Sequence, residues 1–548
     1  MGLKLKNTYS KRLEEFVPVD GSGPVTLYSC GPTVYSHNHI GNFRSFLLAD
    51  VLRRVLEQRG HAVRHVMNIT DVGHMTEDHL ADASGEDKLA KAARELSWDP
   101  YQVAAHFERS FVEDAKALRL KNYSGREADD RSLHPRATEH IPEILVMIQR
   151  LLDRGYAYTD PLGQVYFDVK SFPEYGQLSG KLLDELDPGA RICVRAEKRD
   201  PRDFALWKVD PKHLMRWDPH QPTGWPAGEY ERLKQLIPGR ISPSIRAGFP
   251  GWHIECSAMS RTRLGMQIDL HTGGEDNIFP HHECEIAQSY GSRGDDHAPV
   301  NFCRYWVHAR HLLVNGAKMS KRDGTLITVK ALLDPDSANP TQLTRELEQA
   351  GFVAGRVPAA VLRLALIATP FTQPMNFTVD VLMQVKAGVE RLQSLYTRLE
   401  HTREQVGTPA TAEVCALVER GAAQFDAALD DNLNMSKALA ALFQVVSGAN
   451  RRELSMADAA EVKRFLERCD DVFAVLDRAA ESGTLSSSEL ETETAPVPDS
   501  SALPQLLAAR FTARRSGDFA AADAIRKQLT KLGIEVEDTR DGVRWRRL

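Results

Sequence analysis

The sequence predicts an α/β protein with a parallel sheet, followed by a mostly helical region and a small C-terminal domain. One supporting observation is the order strand, loop, helix, strand within residues 24–69. Another is a helical hydrophobic period from residue 359 to about residue 480. The length of 548 residues also exceeds what one hydrophobic core usually organises, so we expect three or four domains.

The N-terminal α/β unit begins with a strand. PVTLYSC (24–30) is a short apolar run that the turn former GPT follows at once, which is typical of a buried strand. FRSFLLADVLRRVLEQRG (43–60) has apolar residues at helical spacing and ends at Gly60, a typical C-cap. AVRHVMNI (62–69) is then a second strand. This order is half of a nucleotide-binding fold, in which ligands lie beyond the carboxyl ends of strands.

The later segments change character several times. Residues from about 130 to 245 show no regular period, so we interpret them as an insertion into the α/β domain. Strand-like segments return near 266–270 and 301–308. Residues 481–501 are polar and acidic and predict a linker, which separates the small domain at 502–548 from the helical region.

Composition excludes several classes of protein. Hydrophobic residues make up 42% and charged residues 26%, and no apolar run is long enough to cross a membrane. The N-terminus lacks the apolar segment of a secretory signal, and the scattered cysteines form no disulfide framework, so we expect a cytoplasmic protein. The net charge of 69 − 75 = −6 gives no overall attraction to nucleic acid.

The C-terminal segment differs from the rest in charge. Residues 502–548 contain ten Lys or Arg and six Asp or Glu, and 10 − 6 gives a local +4. The basic residues expected on helices there are Arg510, Arg514, Arg515, Arg526 and Lys527. Trp545 could stack on an unpaired base, so the pattern fits an RNA partner. A solvated amphipathic helical hairpin is the alternative.

The stretch FPHHECEIAQ (279–288) contains five potential metal ligands in a row. If a helix opens near Pro280, His281 and Glu285 stand at i and i+4 on one face. A zincin motif is excluded because Ile286 stands where its second histidine belongs, and no C-x-x-C pair supports a structural zinc knuckle.

Further ligands must therefore come from distant sequence. Cys30, at the end of the first strand, and Cys256, in GFPGWHIECSAMS, would complete a mixed site that suits zinc. Spacing alone leaves His282, Glu283 and Cys284 as further possible ligands. Each of these residues could also be a half-buried polar side chain without a metal.

Two further motifs fit phosphate binding. HIGN (39–42) lies at a predicted helix start, where backbone amides favour anions, and Gly41 permits close approach. KMSKRDGT (318–325) is a cationic loop that ends in glycine. Separately, the first motif could be only a helix cap and the second a solvated loop. Together they predict a site for a nucleoside triphosphate, with cations facing the displaced pyrophosphate.

A known family shares these motifs in this order. CGPTVY (30–35), HIGN, NITDV (68–72), GWHIECSAMS (251–260), DLHTGGEDNIFPHHECEIAQS (269–289) and KMSKR (318–322) closely resemble the cysteine–tRNA ligases, which are class I aminoacyl-tRNA synthetases. The resemblance extends from about residue 4 to the C-terminal GVRWRRL.

The resemblance implies a Rossmann-like catalytic domain that a connective insertion divides. A junction domain with the KMSKR loop, an all-α helical bundle and an anticodon-binding domain follow it. The expected boundaries are 1–130 and 246–310 for the two halves of the catalytic domain, 131–245 for the insertion, 311–358 for the junction domain, 359–480 for the bundle, 481–501 for the linker and 502–548 for the anticodon-binding domain.

The resemblance also implies roles for individual residues. One zinc ion per chain would be bound by Cys30, Cys256, His281 and Glu285. The cysteine substrate would contact Thr70, Trp252, His271 and Asp276. ATP, carrying Mg²⁺, would contact His39, Gly41, Asn42 and Lys321, and the residues stabilising the reaction would be His39, Asn42, Lys318 and Lys321.

The sequence departs from the family pattern at several positions. The usual first motif ends in His but here ends in Asn42, which can still donate a hydrogen bond to a phosphate. KMSKS becomes KMSKR, which adds the cation Arg322. Cys284 stands where Asn is frequent, and DVGHMTEDHL (71–80) replaces an acidic DVDD-type continuation. Residues from about 210 to 245 look like extra sequence in the insertion.

The function implied is ligation of L-cysteine to tRNA(Cys) through a cysteinyl-adenylate, with zinc selecting the thiolate, by a monomeric enzyme. One alternative is a ligase that passes cysteine to an amino sugar, although such relatives typically lack the C-terminal domain. Another is a catalytically silent, synthetase-like RNA-binding protein, because HIGN and KMSKR are altered.

Overall fold

A computed structural model describes most of the chain. The described residues are 2–77, 84–181, 198–237, 239–293, 301–319, 326–335, 342–400, 402, 409–478, 482–486, 490, 502–532, 534–539 and 542–547. By its contacts the chain divides into two compact units. Unit 1 comprises Met1–Lys386, Ala423–Ala441 and Asp471–Ala474, and unit 2 comprises Ala387–Ala422, Leu442–Asp470 and Val475–Leu548.

The secondary structure elements are numbered in chain order. The strands are β1 Lys4–Lys6, β2 Leu13–Glu15, β3 Val25–Ser29, β4 Val63–Met67, β5 Met75–Glu77, β6 Ser84–Asp87, β7 Ala157–Thr159, β8 Val165–Phe167, β9 Phe204–Lys208, β10 Phe249–Pro250, β11 Ile268–Gly274, β12 Cys303–Ala309, β13 Leu312–Val314, β14 Ala317–Lys318, β15 Met375–Phe377, β16 Ser482–Ser486, β17 Ile534–Thr539 and β18 Gly542–Arg547.

The helices are α1 Ile40–Gln58, α2 Lys88–Leu96, α3 Pro100–Ala117, α4 Ile141–Asp153, α5 Glu229–Leu236, α6 Trp252–Leu264, α7 Glu275–Asn277, α8 Glu283–Gly291, α9 Val329–Leu333, α10 Gln342–Gln349, α11 Ala359–Ala368, α12 Val379–Glu400, α13 Ala412–Asp430, α14 Met435–Asn450, α15 Met456–Phe473, α16 Ala502–Arg515 and α17 Phe519–Lys531. Within the described part of the chain, no helix is long and apolar enough to cross a membrane.

A four-stranded parallel sheet forms the centre of unit 1, in the order β12-β11-β3-β4. The predicted strands at 24–30 and 62–69 are confirmed as β3 and β4, and those near 266–270 and 301–308 as β11 and β12. The chain runs from β3 to β4 through α1, but β11 and β12 lie on the other side of β3. The direction of winding therefore changes between β3 and β11, which is where open α/β sheets bind ligands.

Helix α1 is fixed to the rest of unit 1 by a buried ion pair. The helix buries an apolar face, and Gly60 adopts the left-handed conformation (φ 89°) after its end, as predicted. Arg363 of α11 donates to Asp50 of α1 over 2.5 Å, with side chains 0% and 3% exposed. Burial alone would raise the pKa of Asp50, but Arg54 and Arg363 lower it well below its usual range. The charge on Asp50 thus stabilises the position of α1.

The insertion contains more regular structure than the sequence predicts. It forms an antiparallel sheet in the order β10-β9-β8-β7, and β10 lies beyond residue 245, the predicted end of the insertion. Helix α4 was also not predicted. Its buried residues at helical spacing are Ile141, Ile144, Leu145, Ile148 and Leu151, so the signal was present in the sequence. In the stretch 210–245, Trp217 is buried and α5 forms.

The region from residue 359 to about 480 is mostly helical, as predicted. Helices α11 to α15 occupy most of residues 359–473, although the short strand β15 pairs in parallel with β13. Strand β13 also pairs with β14, which ends at Lys318. The start of the KMSKR motif therefore belongs to a three-stranded sheet in the order β14-β13-β15.

The C-terminal part of unit 2 corrects two expectations. Residues 481–501 were predicted to be a linker, but β16 lies within them and pairs with β18, and Leu490 is buried in the same apolar core. Serine- and glycine-rich sequence can form a strand when a neighbouring strand supplies the hydrogen bonds. Trp545 packs against this core. Arg510, predicted as a basic contact for RNA, is 2% exposed and donates two hydrogen bonds to Asp538.

Candidate active site and metal centre

A cleft of about 340 Å³ lies at the carboxyl ends of β3, β11 and β12 in unit 1. The predicted site residues that line it are Cys30, His39, Gly41, Asn42, Trp252, Asp276 and Lys318. They come from segments that are up to about 290 residues apart in the sequence. The parallel sheet brings them together because the strands all end at the same edge.

The HIGN motif is both a helix cap and part of this cleft. His39 is the N-cap of α1: its Nδ1 accepts the backbone N–H of Asn42 over 3.2 Å, and Oδ1 of Asn42 accepts the N–H of His39 over 3.3 Å. The capping alternative thus describes the local geometry correctly. Because Nδ1 is an acceptor, the proton of the neutral ring lies on Nε2. A capped helix start with backbone amides at a cleft is also suited to bind phosphate.

Backbone hydrogen bonds connect HIGN to the segment that follows the lysine loop. The N–H of Ile40 donates to the carbonyl of Ile327 over 3.0 Å, and the N–H of Val329 donates to the carbonyl of Asn38 over 3.1 Å. Before the loop, Nζ of Lys318 lies 3.2 Å from Oδ1 of Asp276. The described residues on both sides of the loop therefore lie at the cleft. Lys321 and Arg322 lie outside the described residues.

The four predicted metal ligands converge. One potential ligand atom from each of Cys30, Cys256, His281 and Glu285 lies within 4.8 Å of the other three. Oε1 of Glu285 is 3.1 Å from Nε2 of His281 and 3.8 Å from Sγ of Cys30. Neighbouring ligand atoms around tetrahedral zinc are roughly 3.3–3.8 Å apart. Two thiols, an imidazole and a carboxylate at these separations fit a zinc ion.

The local structure of FPHHECEIAQ differs from the expected helix. Regular helix α8 begins at Glu283, and Phe279 has extended backbone angles (φ −138°, ψ 131°). The wider turn Ile278–His282 still places His281 beside Glu285. His253, a residue of GWHIECSAMS to which the sequence analysis gave no role, has its Nδ1 2.9 Å from Nδ1 of His281. This contact orients the ring so that Nε2 faces the other ligands.

The remaining candidate ligands separate into two kinds. His282 is close to the centre, with Nε2 3.2 Å from Sγ of Cys30, and it forms a second possible ligand group with Cys30, His271 and Glu285. Glu283 instead accepts the N–H of Ser179 over 2.9 Å. Sγ of Cys284 lies 3.4 Å from the hydroxyl of Tyr175. Neither Glu283 nor Cys284 is in a ligand group among the residues that the structure describes.

Two ligands of the centre favour a negative charge, and the other two favour a proton. Burial alone would raise the pKa of Glu285, but His271 and His281 lower it to about 2. A hydrogen bond from Cys30 lowers the pKa of the Cys256 thiol. Burial by itself lowers the pKa of His281, but the adjacent Cys256 and Glu285 raise it to about 10. The acidic groups Glu285 and Cys256 therefore hold a proton on His281, and burial together with the adjacent Cys256 raises the pKa of the Cys30 thiol. A metal ion would take the place of these protons, because such ligands bind metal in their deprotonated forms.

The four predicted substrate contacts lie at different depths. Trp252 lines the cleft, and its ring centroid is 4.5 Å from that of His281. Asp276 also lines the cleft. His271 is fully buried, with Nε2 3.1 Å from Oε2 of Glu285, and Thr70 is 3% exposed and accepts a hydrogen bond from Asn68 over 3.0 Å. Neither His271 nor Thr70 is among the described residues that line the cleft.

Comparison with known proteins shows first to which class of proteins this chain belongs. The family model described as "tRNA synthetases class I (C) catalytic domain" matches residues 16–231 and 241–387. A solved structure of the agnB2 LeuRS of Agrobacterium radiobacter K84, in ternary complex with tRNA and LeuAMS, has a TM-score of 0.52 and 12% identity, and covers 96% of this chain and 95% of that chain. The fold and the catalytic-domain model define a class I aminoacyl-tRNA synthetase.

Further comparisons identify the family within this class. The model "Cysteinyl-tRNA ligase anticodon binding domain" matches residues 500–546, and the "DALR domain" matches 424–477. The cysteine–tRNA ligase of Salinibacter ruber is 40% identical over 99% of this chain and 98% of its own length. A cysteine–tRNA ligase of Thermus thermophilus is 39% identical over 100% of this chain and 99% of its own length. The chain belongs to the cysteine–tRNA ligases.

The residue after Cys30 provides a test of how tightly the site is packed. A Cβ added to Gly31 would lie 1.7 Å from the backbone oxygen of Asn68, so Gly31→Ala must displace β3 or β4. We expect the free energy of unfolding, measured by urea denaturation, to fall by at least about 2 kcal/mol.

The matched control for this substitution is Gly21→Ala, because a Cβ at Gly21 meets no atom within 4 Å. It should change the free energy of unfolding by less than about 0.5 kcal/mol. Equal stability of the Gly31→Ala and Gly21→Ala proteins would contradict the close approach of the two strand ends.

Proposed function

We propose that this protein ligates L-cysteine to tRNA(Cys), using ATP and a cysteinyl-adenylate intermediate. The observation that carries the proposal is the arrangement of the cleft. Cys30, one residue of a thiol-rich metal centre, and the HIGN and Lys318 segments line the same cavity. A cysteine bound with its side chain at the metal centre would therefore lie close to a nucleoside triphosphate bound at the HIGN and Lys318 segments.

The first step joins cysteine to ATP. A carboxylate oxygen of cysteine attacks the α-phosphorus, a new P–O bond forms, and the bond to the bridging oxygen of the β-phosphate breaks to release pyrophosphate. His39, Asn42 and the backbone at Gly41 lie where they can position the phosphates, which bring Mg²⁺ with them. Lys318 supplies positive charge, and Lys321 stays a prediction. The role of these residues is to bind and stabilise, because no protein nucleophile is required.

The second step transfers cysteine to RNA. A ribose hydroxyl at the 3′ end of tRNA(Cys) attacks the acyl carbon, and AMP leaves with the electron pair of the mixed-anhydride bond. The match to an anticodon-binding model over residues 500–546 supports tRNA as the acceptor. It also weighs against an amino-sugar acceptor, and no observation favours a silent RNA-binding protein. The predicted monomeric state has no test in the structure.

The metal centre would supply selectivity for the thiol. Cys30, Cys256, His281 and Glu285 would hold zinc, and a bound zinc ion supplies a Lewis-acidic position that binds thiolate sulfur far better than a neutral hydroxyl. Size alone discriminates poorly, because a pocket for cysteine also admits serine. Discrimination of about 10⁴ needs roughly 5.5 kcal/mol of differential binding, more than packing differences between sulfur and oxygen provide.

The activity itself is tested by pyrophosphate exchange. The full-length protein should catalyse ATP–pyrophosphate exchange that depends on cysteine, and it should then aminoacylate tRNA(Cys). A lack of cysteine-dependent exchange would exclude both ligase functions. Exchange together with transfer to an amino sugar, and none to tRNA(Cys), would instead establish the alternative ligase.

The zinc role predicts that Cys256→Ser loses most of the bound zinc, because serine is a harder and less acidic ligand. Selectivity for cysteine over serine in pyrophosphate exchange should fall by at least about 100-fold. Elemental analysis and exchange kinetics measure the two effects.

The control for Cys256→Ser is Cys284→Ala, which removes a buried thiol beside Tyr175 and outside both ligand groups. This variant should keep its zinc and its selectivity. If Cys256→Ser also keeps both, the four-residue centre does not select the substrate.

The basic surface of the C-terminal domain predicts a salt effect. Arg526 and Lys527 are exposed on α17, whereas Arg510 is committed to Asp538. Replacing Arg526 and Lys527 together with alanine should reduce the salt dependence of tRNA binding by about 1.4 in the log–log slope, at about 0.7 per lost phosphate contact.

Filter binding of tRNA at several salt concentrations measures this slope, and exchange should be unaffected. Lys437→Ala is the control, because Lys437 is an exposed lysine of α14 that pairs with Asp431. Equal slopes for the double variant and Lys437→Ala would remove Arg526 and Lys527 from the tRNA surface.

A further inference from the structure

One wall of the cleft consists of residues to which the proposed function gives no role. These residues are Thr33, Tyr35, His74 and Lys88. His74 belongs to DVGHMTEDHL, the stretch that departs from the acidic pattern of the family. Strands β5 and β6 are antiparallel, and Met75 pairs with Asp87. The hairpin therefore places His74 and Lys88 opposite each other at its open end.

His74 is held on three sides. Its ring stacks on Trp252 at 4.2 Å between centroids and 12° between planes. One ring nitrogen, Nδ1, is 2.7 Å from the hydroxyl of Thr33, and the other, Nε2, is 3.0 Å from Nζ of Lys88. An ammonium group can only donate, so Nε2 accepts and Nδ1–H donates to Thr33. This pattern gives His74 one tautomer and one orientation.

Lys88 is in turn positioned by its neighbours. Its backbone N–H donates to the carbonyl of His74 over 2.8 Å, and Asp87 caps the helix that Lys88 begins. Nζ lies 5.4 Å from the ring centroid of Tyr35, a distance at which a cation is attracted to an aromatic face. The side chain is half-buried and lines the cleft. Its ammonium group donates to Nε2 of His74 at the edge of the cleft.

The position of Lys88 in the cleft indicates which part of a bound substrate it would contact. Two ring layers, Trp252 and His74, separate it from the metal ligand His281, with 4.5 Å and 4.2 Å between successive centroids. The carboxylate carbon of a cysteine is three bonds from its sulfur, on the order of 4 Å. A cysteine whose sulfur is at the metal centre would thus place its carboxylate near Trp252. A phosphate attached to that carboxylate, or close to it, would reach the level of the His74 ring, where Lys88 lies.

We propose that Lys88, oriented by His74 and Tyr35, binds a phosphate group in the cleft during the reaction. The inference rests on the proposed function and adds a residue to it. Two phosphates have this chemistry: the α-phosphate of ATP or of the adenylate, and the phosphodiester next to the 3′-terminal nucleotide of tRNA. The positive charge of a lysine held in place in the cleft stabilises either phosphate, and stabilises the α-phosphate more strongly when charge develops on it.

The test is Lys88→Met in the full-length chain. Cysteine-dependent ATP–pyrophosphate exchange and single-turnover transfer of cysteine from the bound adenylate to tRNA are both measured. We expect a loss of at least about tenfold in one of them. Loss of exchange identifies the α-phosphate, because no tRNA is present in that assay. Loss of transfer that saturating tRNA restores, with exchange intact, identifies the phosphodiester of tRNA, whereas loss that persists at saturating tRNA identifies the α-phosphate of the departing AMP. Lys88→Arg keeps the charge and should restore at least part of the lost rate, which a merely structural role of the side chain does not predict.

The matched control is Lys91→Met. Lys91 lies one turn further along α2, is about half exposed, and has its Nζ 3.9 Å from Glu95. This variant should leave both rates within about twofold of wild type. The inference alone fails if wild type exchanges and Lys88→Met matches it in both assays, or if Lys88→Arg is as impaired as Lys88→Met. If wild type shows no cysteine-dependent exchange, the proposed function fails and the inference fails with it.

Discussion

The buried carboxylate of Glu285 imposes the constraint on which the site depends. Glu285 is 0% exposed, and a charge in such a position is strongly unfavourable unless donors surround it. Oε2 faces His271 at the middle of β11, and Oε1 faces His281 and the thiol of Cys30 at the end of β3. The partners of this one carboxylate come from β11, from the end of β3 and from the turn before α8. These elements must therefore be in place together to stabilise its charge. A cation at this point would be one more partner for the same carboxylate.

The side of the cleft formed by HIGN depends on a second set of fixed contacts. Helix α1 is held by the Asp50–Arg363 pair in the interior, and its N-terminus carries HIGN. Backbone bonds from residues 38–40 to residues 327–329 then hold the end of the lysine-loop segment against this N-terminus. The two motifs are about 280 residues apart in sequence, yet they share main-chain hydrogen bonds. The scaffold therefore brings the two motifs to the same cleft.

How much could be predicted from sequence depended on whether the signal was local. β3, β4 and the end of α1 near Gly60 were predictable, because apolar runs, turn formers and a glycine C-cap are local. Helix α4 was missed although its period was visible. The strand β16 could not be predicted, because its pairing partner β18 is more than 50 residues away and its own composition resembles a linker.

In the candidate site, too, the residues with a local sequence signal could be predicted and the others could not. Spacing could pair His281 with Glu285, but it could not choose Cys30 and Cys256 from the other cysteines. That choice came from the family resemblance, and the structure then brought the four side chains together. His74 and Lys88 carried no recognisable motif, and only the register of β5 with β6 places them opposite each other at the cleft. Arg510 illustrates the reverse error, because a basic residue counted toward RNA binding is paired inside its own domain.

The two possible ligand groups share Cys30 and Glu285, and access to the cleft separates them. In the group with His271 and His282, the ring of His271 stacks on that of the buried Trp306. The group with His281 adjoins Trp252, which lines the cleft. A metal that selects a substrate must leave one position open to that substrate. The contact with Trp252 therefore favours Cys256 and His281 as the ligands, with His271 beside the shared carboxylate and His282 beside the shared thiol.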